Sequence, residues 1–220
     1  MKLYGYWRSS SSWRVRIALN YKAIGHQVQA VKLLGGTQAA EQYQPAYRAI
    51  NPMSQVPVLE LDETGPAGPR RITQSMAILE YLEERFPLPP LLPGDAWLRG
   101  RARQMAEMVN AGIQPYQNSP GVLGYVKEKL GGDEVAWARH FIQRGLDALE
   151  AVAQETAGSF LVGEDPTFAD LCLVPQLYSA RRFGADPTGW PTLLRAEASC
   201  AALPAFQAAH PDSQPDKPGG

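Results

Sequence analysis

Four consecutive serines, Ser9 to Ser12, lie between an aromatic stretch and an apolar-periodic one. Hydroxyls at such a junction can accept hydrogen bonds from the orphan N–H groups that open a helix, and can donate to an anion held there. Before them, Lys2-Leu3-Tyr4-Gly5-Tyr6-Trp7 reads as a strand. After them, Val15, Ala18 and Leu19 form one apolar stripe, and Trp13, Ile17 and Tyr21 an adjoining one. Two stripes predict a helix over Trp13 to Lys22 that is buried on much of its circumference. Strand, polar turn and helix N-terminus together make an anion site. Arg8 stands at the mouth of the turn. Arg14 and Arg16, one helical turn inside, are expected to form ion pairs or to face a partner subunit.

Several elements must position that turn. Ala23-Ile24-Gly25 reads as the stop of the first helix, with Gly25 near C′. Val28 to Leu34 is the next strand, Gly35-Gly36 breaks it, and Gln38 to Tyr47 is a weaker helix. A crossover of this length implies that the first two strands are parallel. Pro57 precedes a strand over Val58 to Leu61, a tolerated place for proline. Glu63 to Arg70 reads as a Gly/Pro turn and surface insertion, followed by a short antiparallel strand, Arg71 to Thr73. Ser75 then opens a helix with Ile78, Leu79, Leu82 and Phe86 at helical spacing, stopped by Pro87-Leu88-Pro89-Pro90. Beyond that proline-rich interval the pattern is helical: Leu98 to Gly112, Glu134 to Glu155, a capping-box opening at Thr167-Phe168-Ala169-Asp170, and a last helix over Thr192 to Ala209. Trp137, Phe141, Met105 and Met108 fall on core positions, and Cys172 reads as a small buried hydrophobe. The expected division is 1–87 as a βαβ–ββα domain, 94–210 as an all-helical domain, and 211–220 as a frayed tail.

Totals exclude several function classes. The chain has 220 residues, 45% hydrophobic and 20% charged, enough for a sizeable core. A net charge of −1 offers no attraction to nucleic acid or an anionic membrane. No apolar run is long enough to span a bilayer, and no secretory leader pattern precedes the first strand, so a cytoplasmic protein is expected. Two cysteines and three scattered histidines offer neither a disulfide framework nor metal-ligand spacing.

The element order and five ordered motifs carry a resemblance. Ser9-Ser10-Ser11-Ser12-Trp13-Arg14-Val15-Arg16-Ile17-Ala18-Leu19 resembles the zeta-class signature of the glutathione transferases. Asn51-Pro52-Met53-Ser54-Gln55-Val56-Pro57, Gln74-Ser75, Ile113-Gln114-Pro115 and Ala169-Asp170-Leu171-Cys172-Leu173-Val174-Pro175-Gln176 are similar to the same family. That family includes the maleylacetoacetate isomerases and their maleylpyruvate isomerase relatives. The resemblance implies an α/β plus all-α fold: a thioredoxin-like N-terminal half and a helical C-terminal half. It implies glutathione as cofactor, a small dicarboxylate as substrate, and a homodimer.

Residue by residue, the resemblance makes Ser9 the hydroxyl beside the glutathione sulfur, with Ser10 and Ser11 as catalytic neighbours. Ser11 stands where the family signature carries cysteine. Gln42, Val56, Pro57, Gln74, Ser75 and Gln114 would complete the glutathione contacts. In that scheme Val56 pairs its backbone with the tripeptide, Pro57 is cis, and Ser75 caps a helix whose free N–H groups receive a carboxylate. Spacing alone favours a trans proline. Arg8 and Arg182 would grip substrate carboxylates, while Arg181 reads as a solvated helix-end charge.

Magnitudes decide what the first motif must supply. A thiol of pKa about 8.5 must lose roughly two units to ionise at neutral pH, a preference of about 2.7 kcal/mol. A helix N-terminus supplies about 0.3–1 kcal/mol and a hydrogen bond to a charged group about 1.5–3. The dipole alone falls short, and a hydroxyl plus the dipole suffices. The same thiolate would serve two readings, a cis–trans isomerase acting on maleylacetoacetate or maleylpyruvate and a transferase conjugating or dehalogenating small α-halo acids; the reading of another class is a non-catalytic glutathione transferase-like binding protein.

Overall fold

The computed structural model describes residues 1–33, 40–119 and 121–218. The chain divides into two compact units, Met1–Pro89 with Pro204–Gly220, and Pro90–Leu203. In chain order the first unit holds strand β1 (Lys2–Gly5), helix α1 (Ser10–Tyr21), strand β2 (Gln27–Ala30) and a 3-10 turn (Glu41–Tyr43). Helix α2 (Pro45–Arg48), strands β3 (Val58–Gly65) and β4 (Gly68–Thr73) and helix α3 (Ser75–Arg85) follow. The second unit is helical: α4 (Ala96–Asn110), a 3-10 turn (Gln114–Gln117), α5 (Gly121–Glu128), α6 (Glu134–Ala153), α7 (Phe168–Arg182) and α8 (Pro191–Ala201). Helix α9 (Pro204–Ala209) and a 3-10 turn (Pro211–Ser213) belong to the first unit.

The sheet runs β2-β1-β3-β4. β1 and β2 are parallel, as the crossover requires, and the other two pairings are antiparallel. Leu3, Leu59 and Val58 are fully buried, as are Val15, Ile17 and Leu19 of α1 and Ile78, Leu79 and Leu82 of α3. The hairpin is longer than the sequence pattern suggests. Glu63 to Arg70, expected as a loop, is strand on both sides of a tight Pro66-Ala67 turn, with a register shift between Glu60 and Thr64. Pro69 is tolerated because β4 is the edge strand.

Helix α1 begins at Ser10, three residues before the predicted start, because Ser9 is the residue that caps it. It ends at Tyr21 with Lys22 as its C-cap, inside the expected stop, but the left-handed residue is Ala23 rather than Gly25. Ala23 takes the positive φ of 52°, and the Ile24 N–H reaches back to the Leu19 carbonyl. Strand β2 covers only Gln27–Ala30 of the segment predicted to reach Leu34. Leu34, Gly35-Gly36 and Gln38 lie outside the described residues. The weak helix expected to end at Tyr47 is a 3-10 turn and α2, separated by Gln44.

In the second unit Met105, Ile142, Leu146, Leu149, Phe168, Leu171 and Trp190 are fully buried. Trp137 and Phe141, expected in the core, are half-buried, as is Met108. Tyr116 stacks on Phe141 at 4.2 Å and Trp137 leans on it at 4.9 Å. Trp137 Nε1 donates to the Tyr116 carbonyl at 3.1 Å, which keeps its polar edge near the surface. The capping box of α7 is present: Thr167 N–H and hydroxyl donate to Asp170 at 2.8 and 3.0 Å, and the Leu161 N–H donates at 2.9 Å. Glu150 of α6 caps α8 in the same way, accepting from Thr192 and Leu193 at 3.1 and 3.0 Å.

The last predicted helix is two helices. Pro204 cannot donate an N–H to a continuing α8, so the chain breaks at Ala202 and Leu203 and restarts as α9. The 94–210 boundary and the frayed tail differ accordingly: residues from Pro204 onward pack with the first unit. The tail is folded by its own polar groups. Gln214 Nε2 donates to the Ala208 and His210 carbonyls at 3.0 and 2.9 Å, and Lys217 pairs with Asp212 at 2.6 Å.

Two stability outcomes follow from buried charge. Lys22 is fully buried and donates to the Phe86 and Pro89 carbonyls at 2.7 and 2.8 Å while pairing with Glu83 at 2.7 Å. Lys22→Ala removes the cation from Glu83 and the donor from both carbonyls, and should cost about 3–5 kcal/mol in a urea unfolding titration. Burial raises the Asp170 carboxyl from 3.8 to about 6, against its hydrogen bonds. A raised folded-state pKa stabilises fully below the unfolded value and loses that contribution as pH rises through the folded one. The stability of the native chain relative to Asp170→Asn should therefore fall between about pH 4 and pH 6, by up to about 3 kcal/mol.

Candidate active site

Strand register gathers the polar motifs of the first unit. Tyr4 pairs with Val58, and Val58 with Thr73. The end of β1, the start of β3 and the end of β4 therefore lie side by side. The serine turn leaves β1 there, Val56-Pro57 enters β3 there, and Gln74-Ser75 leaves β4 there. Gly5 pairs with Ala30 on the other flank, so the end of β2 joins them.

The turn itself is closed by the Ser9 N–H donating to the Tyr6 carbonyl at 3.0 Å. Ser9 is the N-cap of α1, and its Oγ accepts from the Ser12 N–H at 3.2 Å. Capping uses a lone pair and leaves the hydroxyl hydrogen to donate elsewhere. Ser10 and Ser11 are the first two residues of α1, both half-buried. Ser12 is fully buried, and Gly5 is glycine for a reason: a Cβ there would sit 3.3 Å from Ser12 Oγ. Arg8 lies over the Trp7 ring at 5.1 Å, a cation–π contact beside the turn.

Asn51-Pro52-Met53-Ser54-Gln55 is a folded loop. Asn51 Nδ2 and the Tyr47 hydroxyl both donate to the Gln55 carbonyl at 2.8 Å, and the Met53 N–H donates to Asn51 Oδ1 at 3.1 Å. Burial pushes the Tyr47 phenol up, so it remains a donor. These bonds fix the chain just before Val56-Pro57, whose peptide bond is cis. Ser75 is not the cap of α3, as the sequence suggested, but its first residue, and it is buried. The N-cap is Gln74, at φ 68° and ψ 113°, with no side-chain capping bond. A non-glycine residue at positive φ costs about 1–3 kcal/mol and is found at ligand clamps. Gln74 is exposed, and its Nε2 meets Gln55 Oε1 at 3.4 Å. The site thus presents two helix N-termini: α1, capped by its own serine, and α3, whose leading N–H groups have no side-chain cap from Gln74.

Comparisons with known proteins match this arrangement. The glutathione S-transferase N-terminal domain model matches residues 3–90 and the C-terminal domain model residues 105–204. The chain belongs to the glutathione S-transferase family. Within it the chain sits with the zeta-class maleylacetoacetate isomerases. It is 43% identical to the maleylacetoacetate isomerase of Pseudomonas aeruginosa over 221 residues, covering 99% of each chain. It is similar to the crystal structure of the Anaeromyxobacter dehalogenans maleylacetoacetate isomerase with GSH bound in its active site. There the identity is 55% and the TM-score 0.88, over 99% of this chain and 97% of that one. A further structure of that enzyme holds dicarboxyethyl glutathione and citrate. A bacterial maleylpyruvate isomerase of the zeta class is 41% identical with a TM-score of 0.89, over 98% of this chain and 99% of that one.

Glutathione S-transferase membership directs attention to the remaining expected residues. Gln42 is buried and donates to the Leu33 carbonyl at 3.2 Å. Its Oε1 has no hydrogen-bond partner among the described residues. Gln114 and Arg182 belong to the second unit. Gln114 is half-buried at the start of its 3-10 turn. Arg182 is exposed at the end of α7, its guanidinium 4.7 Å from the centre of the Phe183 ring. Arg181 is paired with Glu197 through both nitrogens rather than solvated alone.

Arg16, expected in an ion pair or at a partner subunit, is buried and bonded mainly to main-chain carbonyls. Its guanidinium donates to the carbonyls of Tyr6 (3.3 Å), Trp7 (2.8 Å) and Ala209 (3.2 Å from Nε and from Nη2). Burial lowers its pKa to about 10, and Asp216 opposes that. A charged residue inside two apolar stripes was the signal: such a group must be hydrogen-bonded on most sides. Lysine has the charge but not the planar fork. Arg16→Lys should lower the urea midpoint by the equivalent of about 1–3 kcal/mol, through carbonyls left unpaired.

Proposed function

We propose that this protein is a glutathione-dependent cis–trans isomerase, converting maleylacetoacetate or maleylpyruvate to the fumaryl isomer in the breakdown of tyrosine or related aromatic compounds. The observation that carries the reading is a serine hydroxyl with a hydrogen to donate, at the N-terminus of a helix, beside a second helix start that its own cap residue leaves open. Relatives named as isomerases, and one structure of such a relative holding GSH, support it. By the same analogy the protein works in the cytoplasm as a homodimer.

The residues present fit glutathione. The start of α3 can receive a carboxylate on N–H groups that Gln74 does not cap, with the Gln74 amide at its edge. Val56, at the entry to β3, offers main-chain groups to an extended peptide, and Pro57 follows it. Gln42 and Gln114 are assigned further tripeptide contacts by motif match. When bound, glutathione would supply a sulfur nucleophile for reversible addition to the cis double bond, the conjugated keto group taking up the electron pair and returning it as the sulfur leaves. The Ser9 hydroxyl donates to that sulfur while its oxygen remains the cap of α1. Ser10 and Ser11 line the same turn, and the protein contributes no thiol there. Arg8 grips a substrate carboxylate, and Arg182 is the second candidate for this role. The arithmetic closes: hydroxyl and dipole together supply the roughly 2.7 kcal/mol that an ionised thiol needs at neutral pH.

The deciding experiment offers both cis substrates to the purified protein, with and without glutathione, and follows product geometry and thiol content. Trans product with glutathione undiminished is expected. Net loss of glutathione would identify a transferase, and no glutathione binding would identify a non-catalytic relative. Ser9→Gly keeps most of the helix cap, since glycine costs only a few tenths of a kcal/mol there. It should nevertheless lower kcat/KM roughly tenfold to 150-fold and raise the pKa of the bound thiol by about one to two units.

A further inference from the structure

The turn that presents Arg8 and Ser9 is held from outside by the far end of the chain. The Trp7 N–H donates to Asp216 Oδ2 at 2.9 Å. The carbonyl of the same residue accepts from Arg16 Nη2 at 2.8 Å, and the Tyr6 carbonyl from Nη1 at 3.3 Å. Arg16 is bonded in turn to the Ala209 carbonyl at the end of α9. Both main-chain polar groups of Trp7 are thus clamped, one by a carboxylate and one by a guanidinium, and those two groups attract each other. Asp216 reaches this position because the tail folds back on α9. Besides the Gln214 bonds, the Ser213 hydroxyl donates to the Gln207 carbonyl at 3.1 Å, and His210 Nδ1 accepts from the Asp212 N–H at 3.1 Å. His210 also packs edge-on against Trp13 of α1 at 5.1 Å.

We propose that Asp216 is a positioning residue for the isomerisation described above, through which the C-terminal segment sets the Tyr6–Ser9 turn and hence the placement of the Ser9 hydroxyl and Arg8. This proposal rests on that functional reading. Ser9 is two residues from the clamped Trp7 peptide, so loss of the Asp216 bond frees the dihedrals of Trp7 and Arg8 that aim it. A hydroxyl that stabilises an anion must be held to within about 0.5 Å of its working position. The buried Arg16 would remain on the Tyr6 and Trp7 carbonyls, so the fold survives while the turn loosens.

Asp216→Ala, Asp216→Asn and, as a control, Glu63→Ala test the idea in the whole chain. Glu63 is an exposed carboxylate paired with Arg70 on the β3–β4 hairpin, outside the tail. Three readouts are needed: kcat and KM for glutathione-dependent isomerisation, the pKa of bound thiol from its ultraviolet absorbance, and amide hydrogen exchange at Trp7. Asp216→Ala should lower kcat roughly tenfold, raise the thiol pKa by about one unit, and speed Trp7 exchange. Asn keeps an acceptor oxygen and should restore most of the loss, and Glu63→Ala should match the native enzyme in all three. Unchanged kinetics and thiol pKa in Asp216→Ala, or equal losses in Glu63→Ala, would overturn the proposal. If the native protein binds no glutathione, the functional reading fails first. The positioning role in catalysis falls with it, and Trp7 exchange then reports only whether the clamp exists.

Discussion

Cross-strand pairing of Tyr4 with Val58, and of Val58 with Thr73, is the constraint from which the rest of the first unit follows. Each of the three strand ends leads directly into a polar motif, and antiparallel pairing places a strand's end beside its neighbour's start. A slip of one residue in β3 would bring Glu60, now paired with Arg71, to the face where Leu59 and Leu61 are buried, so the register is strongly specified. The alternation of Leu59, Glu60 and Leu61 therefore has a consequence beyond packing: it decides that a serine, a cis-proline loop and a helix start without a side-chain cap from Gln74 share one edge of the sheet.

The two helix starts at that edge are built differently. At α1, Ser9 supplies its own cap, so the helix gains stability and the hydroxyl keeps a fixed position. At α3, Gln74 holds an unfavourable backbone conformation and contributes no side-chain bond to the N-terminus. A protein that optimised only stability would place Ser, Thr, Asp or Asn there. In the proposed function the difference makes sense, because one start must hold a protein hydroxyl and the other must receive a ligand's carboxylate.

Several charged groups in this molecule are bonded to main-chain groups. Buried Lys22 and Arg16 bond to carbonyls, while buried Asp170 and Glu150 and half-buried Asp216 accept from N–H groups at helix starts or turns. Such groups add little net stability when whole, since desolvation offsets the attraction, but they are costly to break. Their value lies in specificity: each leaves one low-energy arrangement for a turn or a helix end that apolar packing alone would not aim.

The alternation of strands and the two stripes of α1 were legible along the chain, because burial of one face imposes a period that any single sequence displays. So were the capping box of Thr167 and Asp170, the break before Pro90 and the serine, proline and glutamine motifs. These are local arrangements, determined by residues within a few positions of each other. The role of Arg16 as a fork across three carbonyls, the burial of Gln42, the identity of Gln74 rather than Ser75 as the cap, and the packing of residues after Pro204 with the first unit were not legible. The Gln74 cap is a backbone conformation that side-chain type does not reveal; Arg16 reaches 193 positions to Ala209 and Asp216 reaches 209 positions to Trp7, and no local period records a hydrogen bond across such a distance. The sequence determined which chemistry the serine turn can offer; tertiary structure decided what holds that turn still.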